Sequence, residues 1–375
     1  MQLSPILAGL EQYPFAQLDD WRADARWRGI DVIDFGVGDP REVTPAFIRD
    51  ALVAGIGELS SYPRAAGLPE LREAIAAWLA HRYGVAVDAD VEIVPTLGSK
   101  EAIFSFAQIA IGERRVVAVP EPAYPVYERG ALFAGARVVT LPLREETGWL
   151  PDLDTFDAWD ELAVFWVCYP NNPTGATAPL SFYEELAGRA REHGFLVCSD
   201  EAYSELWFGE QPVSALQVAD RENVVVFNTL SKRSSMTGYR SGFVCAPPVV
   251  ADALRAFRPS LGTAPQEFVQ RASVAAWSEE EHVEAVRAVY HRKRETLLPA
   301  LEAAGFRPAG GDATFFLWLA VDEPSHTVAR RLLEHGLLVA PGSFFGPAGE
   351  GFVRLALVPT QAECERAAEI LSEAL

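Results

Sequence analysis

Short, continuous apolar runs recur along the chain, and stretches with helical periodicity separate them. The runs at residues 91–96, 116–119, 136–141, 163–168, 195–198, 224–227 and 242–246 are rich in β-branched and aromatic side chains. Runs of this length and composition predict buried strands. Helices are predicted between them, at 69–83, 99–111 and 180–193, with others at 45–55, 251–257 and 265–277. Unbroken apolar strands alternating with helices predict an α/β fold with a mostly parallel, seven-stranded sheet covered by helices on both faces. A long helix at 279–304 then leads to strands at 314–321, 336–340 and 352–357 and helices at 327–335 and 361–375. These predict a smaller α+β domain. The expected division is a large domain at 42–278, with 1–41 and 279–375 forming an N-terminal arm and the small domain. Trp21 and Trp27 are the expected anchors of the arm.

Composition narrows the function classes. The 375 residues are 49% hydrophobic and 22% charged, with a net charge of −20. So acidic a chain is a poor partner for nucleic acid or an anionic membrane, which attract basic surfaces. The four cysteines, Cys168, Cys198, Cys245 and Cys364, are scattered without metal-binding spacing, so neither a disulfide framework nor a metal is expected. The first residues lack a basic segment followed by an apolar one, and no apolar stretch approaches the roughly 18 residues of a membrane span. A cytoplasmic location is the expectation.

Polar clusters stand at the carboxyl ends of the predicted strands, where ligands bind in parallel sheets. They are Gly98-Ser99-Lys100, Tyr124, Asn172, Asp200 with Tyr203, and Lys232 with Thr229 and Ser231 before it and Arg240 after it. Five loops therefore converge on one crevice. Lys232 is suited to forming a Schiff base with an aldehyde cofactor; taken alone, a Ser-Lys pair reads equally as surface loop. Asp200 would stay ionised beside a cationic ring nitrogen and make the cofactor a better electron sink; a helix cap is its other reading. Tyr203 and Asn172 offer hydrogen bonds to a phenolic oxygen, and Tyr124 a flat face for stacking. Gly98, Ser99, Lys100, Thr229, Ser231 and Arg240 offer phosphate donors, because a Gly-Ser helix start points free N–H groups outward. Gly38, in a strand-to-turn segment at 32–40, lets backbone approach a ligand. Arg354 interrupts an apolar strand, and a charge there needs a partner. A substrate carboxylate held bidentately is one such partner, and an internal salt bridge the other.

With these residues the chain resembles the class I/II pyridoxal-phosphate-dependent aminotransferases of fold type I, over nearly its whole length. The resemblance is carried by Tyr169-Pro170-Asn171-Asn172-Pro173-Thr174-Gly175, the Asp200/Tyr203 pair, Ser231-Lys232 with Arg240 eight residues on, and Arg354. It implies pyridoxal 5'-phosphate as cofactor, with Lys232 as Schiff-base lysine and proton shuttle. It implies Asp200 on the pyridine nitrogen, Asn172 and Tyr203 on the phenolic oxygen, and Tyr124 on the ring face. Ser99, Lys100, Thr229 and Arg240 would surround the phosphate, and Arg354 and Gly38 would meet the substrate. It further implies a homodimer in which Tyr62 reaches the phosphate of the other subunit.

Within the family, the segments 232–242, 340–346 and 351–357 are most similar to succinyldiaminopimelate aminotransferases of lysine synthesis, although that pattern usually has asparagine where Ser235 stands and serine where Thr229 stands. The expected reaction moves an amino group from glutamate to N-succinyl-2-amino-6-oxopimelate, with Arg64, Lys100 and Arg129 as candidates for the distal carboxylate. Aminotransferases for aspartate, aromatic or other amino acids, and C–S lyases, are alternatives on the same fold. A nucleotide phosphate loop at Gly98-Ser99-Lys100 fails the required glycine spacing.

Overall fold

The computed structural model describes residues 4–9, 13–59 and 61–374. The readings of residues 1–3, Ser60 and Leu375 fall outside them. The predicted seven-stranded sheet is present. Its strands lie in the order Ile93–Thr96, Gly242–Cys245, Val224–Thr229, Leu196–Asp200, Leu162–Cys168, Val116–Glu121 and Arg137–Pro142. Gly242–Cys245 runs antiparallel to both neighbours, and the other pairings are parallel.

The apolar runs are continuous because both faces are covered. In Leu162–Cys168, Phe165 and Val167 enter one buried cluster, while Val164, Trp166 and Cys168 enter the other. Trp166 lies between the rings of Phe106, Tyr127 and Phe227. Each such side chain contributes roughly 1.5–3 kcal/mol by leaving water. All four cysteines are buried and unpaired. Among the described residues there is no metal-binding cluster, and no helix is long and apolar enough to cross a membrane.

Two smaller sheets complete the architecture. Ala340–Pro341, Phe352–Ala356, Phe316–Ala320 and Arg307–Pro308 form an antiparallel sheet. Ile33–Asp34 pairs in parallel with Leu337–Leu338. The single strand predicted at 336–340 is therefore shared between two sheets, a break its uniform apolar character conceals. Helix Glu281–Ala303 packs on Gln361–Ala374. In the arm, helix Ala16–Trp27 buries Trp21 against Phe344, but Trp27 is 87% exposed. The expectation of two anchors is corrected to one: Leu18, Trp21 and Ala25 form the buried face of the helix, and Trp27 lies off it.

Close backbone contact seats the site on the sheet. A Cβ on Gly242 would lie 2.5 Å from the Asn228 carbonyl oxygen and 3.0 Å from the Gly98 carbonyl carbon. The Gly98 turn can thus lie beside the end of the strand Val224–Thr229. Main chain on both sides cannot yield to a methyl group. Gly242→Ala is expected to lose about 2–4 kcal/mol of unfolding free energy, measured by denaturant titration.

Candidate active site

The carboxyl ends of the parallel strands and the segment around Gly38 enclose a cavity of about 650 Å³. Of the residues singled out from sequence, Gly38, Ser99, Lys100, Tyr124, Asn172, Asp200, Tyr203, Thr229, Ser231, Lys232, Arg240 and Arg354 line it. Gly98 stands behind this wall, where a Cβ would fall 2.6 Å from Arg240 Nη2. Tyr62 is fully exposed and Arg64 exposed, and neither lines the cavity of its own chain. Arg129 lies 5.2 Å from the ring of Tyr13, itself a lining residue.

Lys232 reaches the cavity on a short helical turn that starts where the strand Val224–Thr229 ends. Thr229 caps the turn, its Oγ1 accepting from the Ser231 N–H at 3.2 Å. Lys232 Nζ donates to the Gly38 carbonyl at 2.6 Å and lies 5.5 Å from the Phe315 ring. Its pKa is pushed down to about 8. Desolvation is the largest cause; Arg354 and Arg240 add to it, while Asp39 and Asp200 oppose it. A sizeable neutral fraction therefore exists near neutral pH, as proton transfer requires.

Asp200 ends the strand Leu196–Asp200 and is buried. One carboxylate oxygen accepts from the Tyr127 hydroxyl at 2.7 Å and the other from the Ala202 N–H at 3.2 Å. Burial raises its pKa to about 6, against the two hydrogen bonds and Lys232. Tyr127 went unnoticed in the sequence. The signal available was its spacing: Tyr124 and Tyr127 stand three apart at a helix start, hence side by side. Their rings meet edge-on at 5.9 Å. Tyr203 packs edge-on against Phe316 at 5.3 Å, and burial raises its hydroxyl pKa.

Arg354 is 2% exposed, with no carboxylate partner among the described residues. It donates to Asn172 Oδ1 at 2.9 Å and to the Gly36 carbonyl at 2.8 Å, and its Nε has no partner. Phe316, Phe345 and Phe15 surround the guanidinium at 4.2, 4.6 and 5.3 Å. Desolvation lowers its pKa to about 10. The internal salt bridge considered from sequence is absent there.

Near Ser99, Thr229 and Ser231, cations crowd together. Burial lowers the Lys100 pKa first, then repulsion from Arg240 and Arg129. Arg240 donates to the carbonyls of Thr237 and Leu97 at 2.9 and 3.1 Å. This donor set suits pyridoxal 5'-phosphate: hydroxyls and cations for the phosphate, a buried carboxylate for a protonated ring nitrogen, and an amine for the aldehyde. Ser235 has φ +52°, a left-handed backbone that asparagine tolerates better than serine, so the backbone favours the pattern's usual asparagine and does not explain the serine.

Two tests follow from Asp200. Its folded carboxyl binds a proton more tightly than the unfolded chain's, so its burial costs nothing below pH 4 and its full amount above about pH 6. In the cofactor-free protein, Asp200→Asn is therefore expected to raise thermal stability at pH 7 by an amount on the order of 2–3 kcal/mol. The gain should vanish as pH falls from 6 to 4, read from melting temperatures across that range. Tyr127→Phe removes one stabilising bond to the anion, and cofactor affinity measured by fluorescence titration is expected to fall about tenfold.

The sequence profile of the family "Aminotransferase class I and II" matches residues 30–371. An LL-diaminopimelate aminotransferase of Aquifex aeolicus (strain VF5) is 38% identical, with 98% of each chain covered. An aminotransferase structure from Neisseria meningitidis Z2491 superimposes with a TM-score of 0.91 at 37% identity, covering 98% of both chains. A structure described as a probable N-succinyldiaminopimelate aminotransferase from Thermus thermophilus gives 0.89 at 31%, covering 96% of this chain and all of that one. With fold, cavity and relatives in agreement, the chain belongs to the class I and II aminotransferases, a pyridoxal 5'-phosphate-dependent family.

Proposed function

We propose that this chain exchanges an amino group between glutamate and a keto acceptor of the diaminopimelate type. The observation that carries the reading is Arg354, a buried guanidinium with an unpartnered Nε and no carboxylate beside it, facing the same cavity as Lys232. A substrate α-carboxylate is the charge it lacks. Pyridoxal 5'-phosphate, when bound, supplies the electron sink for the substrate Cα electron pair. Ser99, Lys100, Thr229, Ser231 and Arg240 would hold its phosphate, with Gly98 giving Arg240 room. Asp200 would face the ring nitrogen, Asn172 and Tyr203 the phenolic oxygen, and Tyr124 the ring.

Lys232 is the group that carries the proton. Its lowered pKa would let the amine accept a proton from the substrate Cα and hold it for return. Arg354 and Asn172, with the Gly38 backbone alongside, would orient the substrate so that its Cα–H bond faces that amine. On this reading residues 42–278 carry the cofactor and bring Asn172 to the substrate, while 1–41 and 279–375 bring Gly38 and Arg354. Tyr62, exposed in the single chain, would serve the phosphate of a second copy in a homodimer.

The acceptor is read from the relatives. The Aquifex protein supports LL-diaminopimelate and its keto form, while the Thermus structure and the segment 232–242 support the N-succinyl derivative. Either needs a site for a distal carboxylate, which the cations Lys100 and Arg129 beside Tyr13 would offer. The test is to load the purified protein with glutamate, then add each acceptor and follow return of the cofactor's aldehyde absorption. The better acceptor should be used at least tenfold more efficiently. Response to neither, with ready response to oxaloacetate or an aromatic keto acid, would overturn the diaminopimelate reading. Lys232→Ala is expected to abolish turnover; more than trace exchange would remove Lys232 from the central role. Arg354→Gln should raise the KM for glutamate about a hundredfold, from loss of a charged, bidentate contact.

A further inference from the structure

No side chain of the helix Glu281–Ala303 lines the cavity among the described residues. Midway along it, however, Lys293 is 2% exposed and ion-paired with the Glu42 carboxylate. Its ammonium also donates to the Leu357 carbonyl at 3.1 Å. Tyr290, one turn earlier, donates its hydroxyl to the second oxygen of Glu42. The Tyr290 ring packs 5.1 Å from Phe315, whose ring also lies 5.5 Å from the Lys232 amine. Phe315 in turn accepts the Leu357 N–H at 2.8 Å.

These contacts have a common geometry. Glu42 lies four residues beyond Gly38, whose carbonyl holds Lys232 Nζ. Leu357 lies three residues beyond Arg354. Two positions one turn apart thus act together: Lys293 ties the loop that presents Gly38 and Asp39 to the end of the strand that presents Arg354, and Tyr290 backs the ring beside Lys232. For stability alone such a pair is a poor choice, because a buried ion pair often does no better than apolar residues of the same volume. It does specify register, since a slip would strand two charges in the interior.

We infer that Glu42, Lys293 and Tyr290 are positioning residues. They set the loop at Gly38 and the end of the Arg354 strand at a fixed distance from Lys232, so that the substrate Cα meets its amine. The inference rests on the aminotransferase reading above. Its test uses the full chain loaded with pyridoxal 5'-phosphate. The double variant Glu42→Gln with Lys293→Met removes both charges, so neither is left unpaired.

A positioning role predicts that the double variant melts near the native temperature and binds the cofactor within twofold of native. The KM for glutamate should rise about tenfold and kcat fall about tenfold, since displacement of an ångström at the reacting centre is enough for losses of this size. Amide hydrogen exchange at residues 36–42 should quicken in the cofactor-free protein while 224–232 stay unchanged. A double variant with native KM, kcat and exchange would reduce the cluster to packing and overturn the inference. Should the double variant not fold, Tyr290→Phe decides, because it removes one bond and no charge. A roughly threefold rise in KM supports the inference, and native values overturn it. A native protein that exchanges no amino group with any donor or keto acid fails the reading beneath, a result distinct from any of these.

Discussion

Desolvation of charge is the constraint on which this site depends. Asp200, Lys232 and Arg354 are each held where water would be the better solvent. Burial raises the carboxyl, lowers the amine and lowers the guanidinium, so each is displaced toward its neutral form. None of the three is neutralised by a close ion pair with another. Folding energy has gone into groups that have no close ion-pair partner among the described residues, and on the proposed function a small molecule supplies the counter-charges. A cofactor with an anionic phosphate and a cationic ring, and a substrate with a carboxylate, meet those requirements together. The surrounding −20 net charge makes this cationic crevice a local exception.

Much of this was legible in the chain because the chemistry sits where topology places it. Continuous apolar runs read as a doubly covered sheet, and polar or aromatic residues within a few positions of the ends of five runs (Ser99, Tyr124, Asn172, Asp200 and Thr229) face the crevice. Lys232, Asp200 and Asn172 could be found this way because a polar residue just past an apolar strand is conspicuous, and Arg354 because a charge in the middle of one is. Tyr127 could not, because a tyrosine in a helix reads as core, and the core is where most of it lies. Tyr13 and Phe15 line the cavity from the N-terminal arm, and no local pattern reports so distant a contact. The Glu42–Lys293 pair is illegible for the same reason: its partners are 251 residues apart.

Trp27 and the strand at 336–340 show the opposite failure. In both, local composition was read as if it fixed the tertiary partner. A tryptophan signals burial only if its helix face turns inward, and Trp27 lies off the face that Leu18, Trp21 and Ala25 turn to the core. An apolar run signals a strand but not which sheet receives it, and Leu337–Leu338 and Ala340–Pro341 go to different ones. Ser235 adds a third case, where the backbone angle and not the side chain's chemistry accounts for the residue that the family pattern prefers.

The hydrogen bond from Arg354 to the Gly36 carbonyl joins positions 318 residues apart in sequence. Chains emerge from the ribosome N-terminus first, and their domains fold as units. The seven strands of the large sheet are all made by Cys245, while Arg354 is still unmade. The strands whose ends floor the cavity are therefore all synthesised well before the arginine that completes its wall. The cavity is finished last, by a segment that returns from the far end of the chain to the Gly36 carbonyl.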